Sequence, residues 1–219
     1  MNNLHPDETI DDLGSYKIIQ KKSGYRFTED SVSLADFALP LKPTDSVIDL
    51  GTGSGVIPLI LAQKSHVQNI IGIEIQEGLA ELAKRNVELN NLSSRIQIIK
   101  GDLRELVHNK LFQEHFFSVV ISNPPYTKPA SGRISPFREK AVAKTELACS
   151  LTEIVEVSRY LTAEKGRIVY IYPVSGLQKM LSVIKGHELE VKRLGYVLPK
   201  AGCEVKRFLI EMRRGGSGL

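Results

Sequence analysis

The run Ser46-Val47-Ile48-Asp49-Leu50, followed at once by Gly51-Thr52-Gly53-Ser54-Gly55, limits the folds open to this chain more than any other feature. A short apolar run bounded by turn residues reads as a buried strand. Glycines let the backbone turn at positive φ and let a ligand approach the main chain closely. Val56 to Gln63 then reads as a helix, with Pro58 tolerable only in its first turn. Strand, tight glycine turn and helix in this order open a βαβ unit, and that predicts a parallel sheet with helices packed on its faces.

The same alternation continues downstream. Ile70–Glu74 reads as the second strand, and Glu77–Leu89 as a helix with Leu79, Leu82, Ala83 and Val87 on one stripe. Ile96–Ile99 and Phe117–Ser122 read as strands three and four. A helix starts at Leu151, signalled by Ser150 and Glu153 at capping-box spacing, and Gly166 marks its stop. Arg167–Tyr172 is the fifth strand. Ser175 and Gln178 repeat the capping-box spacing before the stripe Leu177, Met180, Leu181 and Ile184. Val191–Leu198 and Val205–Met212 read as strands separated only by Pro199-Lys200-Ala201-Gly202, so they must be antiparallel neighbours. The expectation is one α/β domain over residues 46–214, preceded by an extension over residues 1–45 and followed by a Gly/Ser tail at 215–219.

Composition narrows the class further. The chain has 219 residues, room for one well-buried α/β domain and little more. It contains no apolar run of about 18 residues, so no membrane span is expected. Met1 to Leu13 carries Asp7, Glu8, Asp11 and Asp12, unlike a signal peptide. Cys149 and Cys203 lie far apart with no metal-ligand spacing to a histidine, which predicts a reduced cytoplasmic protein without a metal. A net charge of +4 is compatible with a nucleic-acid partner and equally with a solvated basic surface.

Ligands of such sheets bind at the carboxyl ends of the strands. The spacing here, Asp49 followed by Gly51, Gly53 and Gly55, fails the dinucleotide fingerprint because Val56 stands where the third glycine belongs. It suits a ligand with no pyrophosphate, such as S-adenosylmethionine, which joins an amino acid to an adenosine; the alternative is a tight turn without a ligand. Glu74 ends the second strand about 20 residues later, where a carboxylate can accept from both ribose hydroxyls. Asp102 could accept from an adenine amino group, with the Leu103 N–H beside it, or could cap the segment that follows.

Asn123-Pro124-Pro125-Tyr126 comes directly after the fourth strand. Two prolines fix the backbone and remove two donors, leaving the Pro124 carbonyl and the Asn123 side-chain carbonyl as acceptors. Two acceptors converging on one amino group orient its lone pair and stabilise positive charge developing on nitrogen. Tyr126 offers a flat face on which an extruded base can stack. The other reading is a rigid loop with Tyr126 in the core.

Together the tetrapeptide, the glycine loop, Glu74 and Asp102 resemble the amino-methyltransferases of the class I, Rossmann-like fold, which act on adenine, cytosine or glutamine nitrogens. A narrower likeness runs through Ile10-Asp11-Asp12-Leu13, Ile18-Ile19-Gln20, Tyr25-Arg26-Phe27-Thr28-Glu29-Asp30-Ser31-Val32, Lys144-Thr145-Glu146 and Pro199-Lys200-Ala201-Gly202 with Arg207. These segments are similar to the bacterial tRNA1(Val) adenine-N6 methyltransferases. The resemblance implies a mostly parallel sheet with an antiparallel C-terminal hairpin, and S-adenosylmethionine as methyl donor. It places Phe27, Thr28 and Asp30 near the methionine end of the cofactor. Asp49, Gly51, Thr52, Gly53, Gly55, Glu74, Ile75, Asp102, Leu103 and Asn123 make up the rest of that site. Members of the family usually continue beyond Gly215-Gly216, whereas this sequence stops at Leu219.

Lys128, Arg133, Arg138, Lys140 and Lys144 follow the tetrapeptide against Glu139 alone, a basic stretch suited to phosphates flanking a target base. Lys200 and Arg207 in the tail could add to it. Charge of this kind gives no sequence readout. The resulting expectation is a monomeric enzyme that methylates N6 of an adenine in tRNA, adenine 37 of tRNA1(Val) by the resemblance. A protein glutamine-N5 methyltransferase shares the tetrapeptide, but its relatives carry a helical domain before the glycine loop, and here 48 residues precede Asp49. A non-catalytic RNA-binding module of the same fold is the third reading.

Overall fold

The computed structural model describes residues 4–23, 26–108, 111–124, 149–198 and 203–215. The chain opens with a hairpin, β1 (Glu8–Leu13) and β2 (Tyr16–Lys21), then helix α1 (Glu29–Phe37). The alternating body follows as β3 (Ser46–Leu50), α2 (Val56–Lys64), β4 (Asn69–Glu74), α3 (Glu77–Leu89), β5 (Ile96–Lys100), α4 (Leu103–His108) and β6 (Phe117–Ser122). It closes with α5 (Leu151–Leu161), β7 (Thr162–Pro173), α6 (Leu177–Gly186), β8 (Leu189–Tyr196) and β9 (Arg207–Arg214).

Seven strands form one sheet in the order β5-β4-β3-β6-β7-β9-β8. The pairs from β5 to β7 are parallel, and β9 runs antiparallel to both β7 and β8. The mostly parallel α/β sheet with an antiparallel C-terminal hairpin is therefore present. Its two faces carry separate cores. One gathers Leu34, Ala35, Leu59, Leu61, Ala83 and Val87 against Val47, Val119 and Ile121; the other gathers Leu106, Ile154, Leu161, Met180 and Ile184 against Ile48, Val120 and Tyr170. The first seven residues of α2 are all buried, because the sheet covers one side and the N-terminal segment the other. Pro58 sits in its first turn, where no intrahelical donor is lost.

The N-terminal hairpin is fastened to α3 by side chains. Asn86 accepts from the Ile19 N–H at 2.6 Å and donates to the Ile19 carbonyl at 3.0 Å. Asn90 treats Lys17 the same way, at 2.9 and 2.7 Å. Four helical residues advance about 6.0 Å and two strand residues about 6.8 Å, so amides at i and i+4 of a helix can serve residues i and i+2 of a strand edge. Glu8, nearly buried, forms a two-point pair with Arg85 at 2.6 and 2.8 Å.

Helix α1 is held by arginines from the far end of the chain. Arg167 donates to the Pro40 carbonyl at 2.7 Å and also to that of Ala38, while Arg193 donates to the Phe37 carbonyl at 2.6 Å and lies over the Phe37 ring. Arg207 pairs with Asp30 at 2.9 Å. The same region holds Glu211, 3% exposed, within 3.4 Å of both Arg167 and Arg193 and 3.3 Å of Arg213.

Several sequence expectations change. Gly166 does not stop a helix: α5 ends at Leu161, and Gly166 lies inside β7. The register between β6 and β7 shifts there, and a Cβ on Gly166 would stand 3.0 Å from the Phe117 carbonyl oxygen, so close strand approach explains the glycine. The Ser150–Glu153 capping box forms, but the Ser175–Gln178 box does not. A 3₁₀ turn over Val174–Gly176 takes up that segment, and α6 starts after Gly176, which lies against the Tyr172 ring where a side chain has no room. Met180 and Ile184 of the expected stripe are buried, whereas Leu181 is exposed. The last two strands are displaced by two residues from the expected spans, and most of β8 is exposed because it is the sheet edge.

Candidate active site

In an open α/β sheet the ligand crevice lies where successive connections leave in opposite directions. Here that point is between β3 and β6, since the chain leaves β3 for β4 on one side and returns as β6 on the other. Leu50 of β3 stands opposite Ser122 of β6, whose hydroxyl donates to the Leu50 carbonyl at 2.7 Å. Gly51 and Asn123 thus leave neighbouring strand ends. Glu74 at the end of β4 pairs with Lys100 at the end of β5, and Asp102 follows two residues later. Four adjacent strand ends bring Asp102, Glu74, the glycine loop and Asn123 to one edge of the sheet.

The loop geometry explains its glycines. Gly51, Gly53 and Gly55 have φ of 78°, 58° and 81°, the left-handed region that side chains disfavour. Gly55 also packs against α3, where an added Cβ would sit 3.2 Å from the Ala83 Cβ. The N–H groups of Gly51 and Thr52 both donate to the Ile73 carbonyl at 2.9 Å, tying the loop to β4. Asn86 donates to the Ser54 carbonyl at 2.9 Å from the α3 side.

Polar groups inside this loop are buried without partners. Neither carboxyl oxygen of Asp49, nor the hydroxyls of Thr52 and Ser54, finds a hydrogen bond among the described residues. Burial pushes the Asp49 carboxyl up to about 7, and the nearby Glu74 charge adds to the shift; the Thr52 hydroxyl opposes it without reaching hydrogen-bond geometry. Glu74 is also held above the usual carboxylate range by burial, although its two oxygens accept from the Gly53 and Gln76 N–H groups at 2.9 Å each. Two buried carboxylates and two orphan hydroxyls form a pocket chemistry that favours a ligand with cationic and hydroxyl donors. S-adenosylmethionine carries both, so the residues present fit it.

The remaining sequence-predicted residues fall as follows. Asp102 accepts from the Arg104 N–H at 2.9 Å and pairs with its guanidinium, which lowers the carboxyl's pKa; it caps α4, whose first residue is Leu103. Thr28 is the N-cap of α1 and its hydroxyl accepts from the Asp30 N–H. Phe27 packs partly buried against the core, and its N–H donates to Gln20 at 3.0 Å. Ile75 and Asn123 are half-buried and Pro124 is buried. Arg207 meets Asp30 rather than standing apart as a surface cation. Pro125, Tyr126, Lys128, Arg133, Arg138, Lys140, Lys144 and Lys200 lie outside the described residues. Among the described residues no group of three or more His, Cys, Asp or Glu is arranged to hold a metal, and no helix is long and apolar enough to cross a membrane.

Asn86 escaped the sequence reading. Its signal was an amide on the apolar face of α3, three residues after Ala83 and four after Leu82.

The sequence profile of the methyltransferase small domain matches residues 33–169, more than half of the chain. The chain belongs to that methyltransferase family. A tRNA1(Val) (adenine(37)-N6)-methyltransferase of Porphyromonas gingivalis is 32% identical over 172 residues, 78% of this chain and 67% of that protein. An enzyme of the same description from Christiangramia forsetii is 29% identical over 195 residues, covering 89% of this chain and 80% of its own. Among solved structures, the M. jannaschii tRNA m1G37 methyltransferase superposes with a TM-score of 0.69 at 19% identity, covering 96% of this chain and 58% of that one. At that identity the likeness is one of fold, and the class I methyltransferase sheet is the fold shared. The matched segment begins within α1, so the β1–β2 hairpin of this methyltransferase precedes it.

Proposed function

We propose that this methyltransferase transfers a methyl group from S-adenosylmethionine to N6 of an adenine in tRNA, adenine 37 of tRNA1(Val). The observation that carries the reading is that Asn123 and the glycine loop leave adjacent strand ends beside Glu74. The descriptions of the relatives support the choice of tRNA and of adenine. In this reading residues 46–214 form the catalytic domain and residues 1–45 pack on it. The enzyme works as a monomer in the cytoplasm, where its tRNA is.

S-adenosylmethionine, when bound, supplies an electrophilic methyl carbon on a sulfonium. Asp49, the loop glycines, Thr52, Glu74, Ile75, Asp102 and Leu103 would hold it, with Phe27, Thr28 and Asp30 toward its methionine end. The adenine amino group is a weak nucleophile because its lone pair is delocalised into the ring. Asn123 accepts one of its hydrogens on the side-chain carbonyl and Pro124 the other on its main-chain carbonyl. Both bonds strengthen as nitrogen becomes positive, so they favour the transition state over the ground state. Held there, S-adenosylmethionine would supply its methyl carbon to the lone pair that Asn123 and Pro124 orient, its sulfur keeping the electrons of the C–S bond, and the surplus N–H proton would pass to water. Tyr126 would stack on the base. Lys128, Arg133, Arg138, Lys140, Lys144 and Lys200 meet flanking phosphates, with Arg207 at their border. An anticodon-loop base is single-stranded, so presenting it costs little unstacking energy.

Nucleoside mass spectrometry of unmodified tRNA incubated with protein and S-adenosylmethionine tests the reading. N6-methyladenosine should accumulate in tRNA1(Val). Label appearing on a protein glutamine instead, with tRNA unchanged, would sink it.

A further inference from the structure

The β1–β2 hairpin lies before the segment shared across the small-domain family, yet one buried amide joins it to the glycine loop. Asn86 is fully buried on α3. Its side chain makes three hydrogen bonds: one accepted from Ile19 N–H, one donated to Ile19 carbonyl and one donated to Ser54 carbonyl. Ser54 stands between Gly53 and Gly55, the two loop residues on either side both at positive φ. One turn earlier on the same helix, Ala83 stands where a Cβ on Gly55 would come within 3.2 Å of it. The outer wall of the loop is therefore shaped by α3, and the position of Asn86 is in turn fixed by β2.

We propose that Asn86 is a positioning residue for the cofactor loop, through which the N-terminal hairpin sets the affinity for S-adenosylmethionine. The proposal rests on the reading of that loop as the cofactor site. A primary amide suits this place because it has two donors and an acceptor at one centre. Alanine there leaves the Ser54 carbonyl unpaired in a buried position. The loop then no longer has a fixed N–H pattern for the ligand, and the cost falls on cofactor binding rather than on the methyl-transfer step. Asn90 provides the control, since it holds Lys17 of the same hairpin and makes no bond to the loop.

The test measures S-adenosylhomocysteine affinity by calorimetry, KM for S-adenosylmethionine, kcat and ligand-free Tm on the full chain. Asn86→Ala should weaken cofactor binding and raise KM about tenfold, with kcat changed less than about threefold. Asn90→Ala should lower Tm while leaving cofactor affinity within about twofold. In the wild-type protein, hydrogen exchange supplies a readout that needs no variant: adding S-adenosylhomocysteine should slow the Ile19 amide several-fold. Unchanged cofactor affinity in a folded Asn86→Ala protein, equal weakening by Asn90→Ala, or an Ile19 amide indifferent to ligand while the loop amides slow, would each overturn the proposal. A wild-type protein that binds no S-adenosylhomocysteine would instead overturn the assignment of the loop itself.

Discussion

Two buried carboxylates, one at each side of the sheet, face opposite circumstances. Glu211 in β9 is surrounded by Arg167, Arg193 and Arg213 and meets all three within 3.4 Å. Asp49 in β3 is fully buried and meets no hydrogen-bond donor among the described residues. A buried acid with its cations in place is scaffold; removing one partner exposes the rest to an uncompensated charge. A buried acid without any partner costs stability and persists where a ligand supplies the missing donors. The β7–β9–β8 side thus holds α1 in place, and the β5–β4–β3–β6 side holds unmet polar groups around the glycine loop.

The contrast can be broken from either side. The largest effect belongs to the tetrapeptide. Asn123→Ala should cut tRNA methylation by about a hundredfold or more, while S-adenosylhomocysteine affinity by calorimetry stays within a few-fold. Loss of cofactor binding instead would make Asn123 a structural residue. On the scaffold side, Glu211→Gln should cost about 3 kcal/mol of stability in urea titrations, with cofactor affinity of the folded protein unchanged. Asp49→Asn should act in the opposite direction, stabilising the ligand-free protein at pH 7 by about 2 kcal/mol while weakening cofactor binding tenfold or more. If both substitutions destabilise alike, the distinction between the two acids fails.

Titration sharpens the same point. The unfolded chain releases the Asp49 proton near the usual 3.8, whereas the folded protein keeps it to about 7. Between those values the native state binds more protons than the unfolded state, so this group lowers stability as pH rises. Ligand-free wild-type protein should therefore lose stability relative to Asp49→Asn from about pH 4 to pH 7 and hold a constant difference above that. The smallest effect is Ser150→Ala at the capping box of α5, about 1 kcal/mol in Tm-derived stability with no change in cofactor affinity.

How much of this could be read beforehand follows from which forces act locally. Ser46–Leu50 and Phe117–Ser122 were legible because central parallel strands are continuous apolar runs. The glycine loop and Glu74 were legible because turn chemistry and strand ends are local properties. Gly166 misled because glycine reads alike at a helix end and at a close strand approach, and only the neighbouring β6 separates the two. The Ser175–Gln178 spacing matched a capping box, but the Tyr172 ring and a 3₁₀ turn settled the backbone first. The pairings of Asn86, Arg167 and Arg193 were not legible because their partners are 67, 129 and 156 residues away. Pairings at that distance leave no local periodicity.

The arginines that grip α1 also impose an order of events on a chain made from its N-terminus. Asp30 is synthesised early, but its partner Arg207 lies 177 residues later. At ribosomal rates of roughly 5–20 residues per second, that separation is on the order of ten seconds or more. Phe37 and Ala38 likewise receive their donors only after Arg193 and Arg167 have been made. Contacts so far apart in sequence are paid in chain-closure entropy before they reward the fold. The helix that follows Phe27 and Thr28 is therefore not fully fastened until the C-terminal strands have been made.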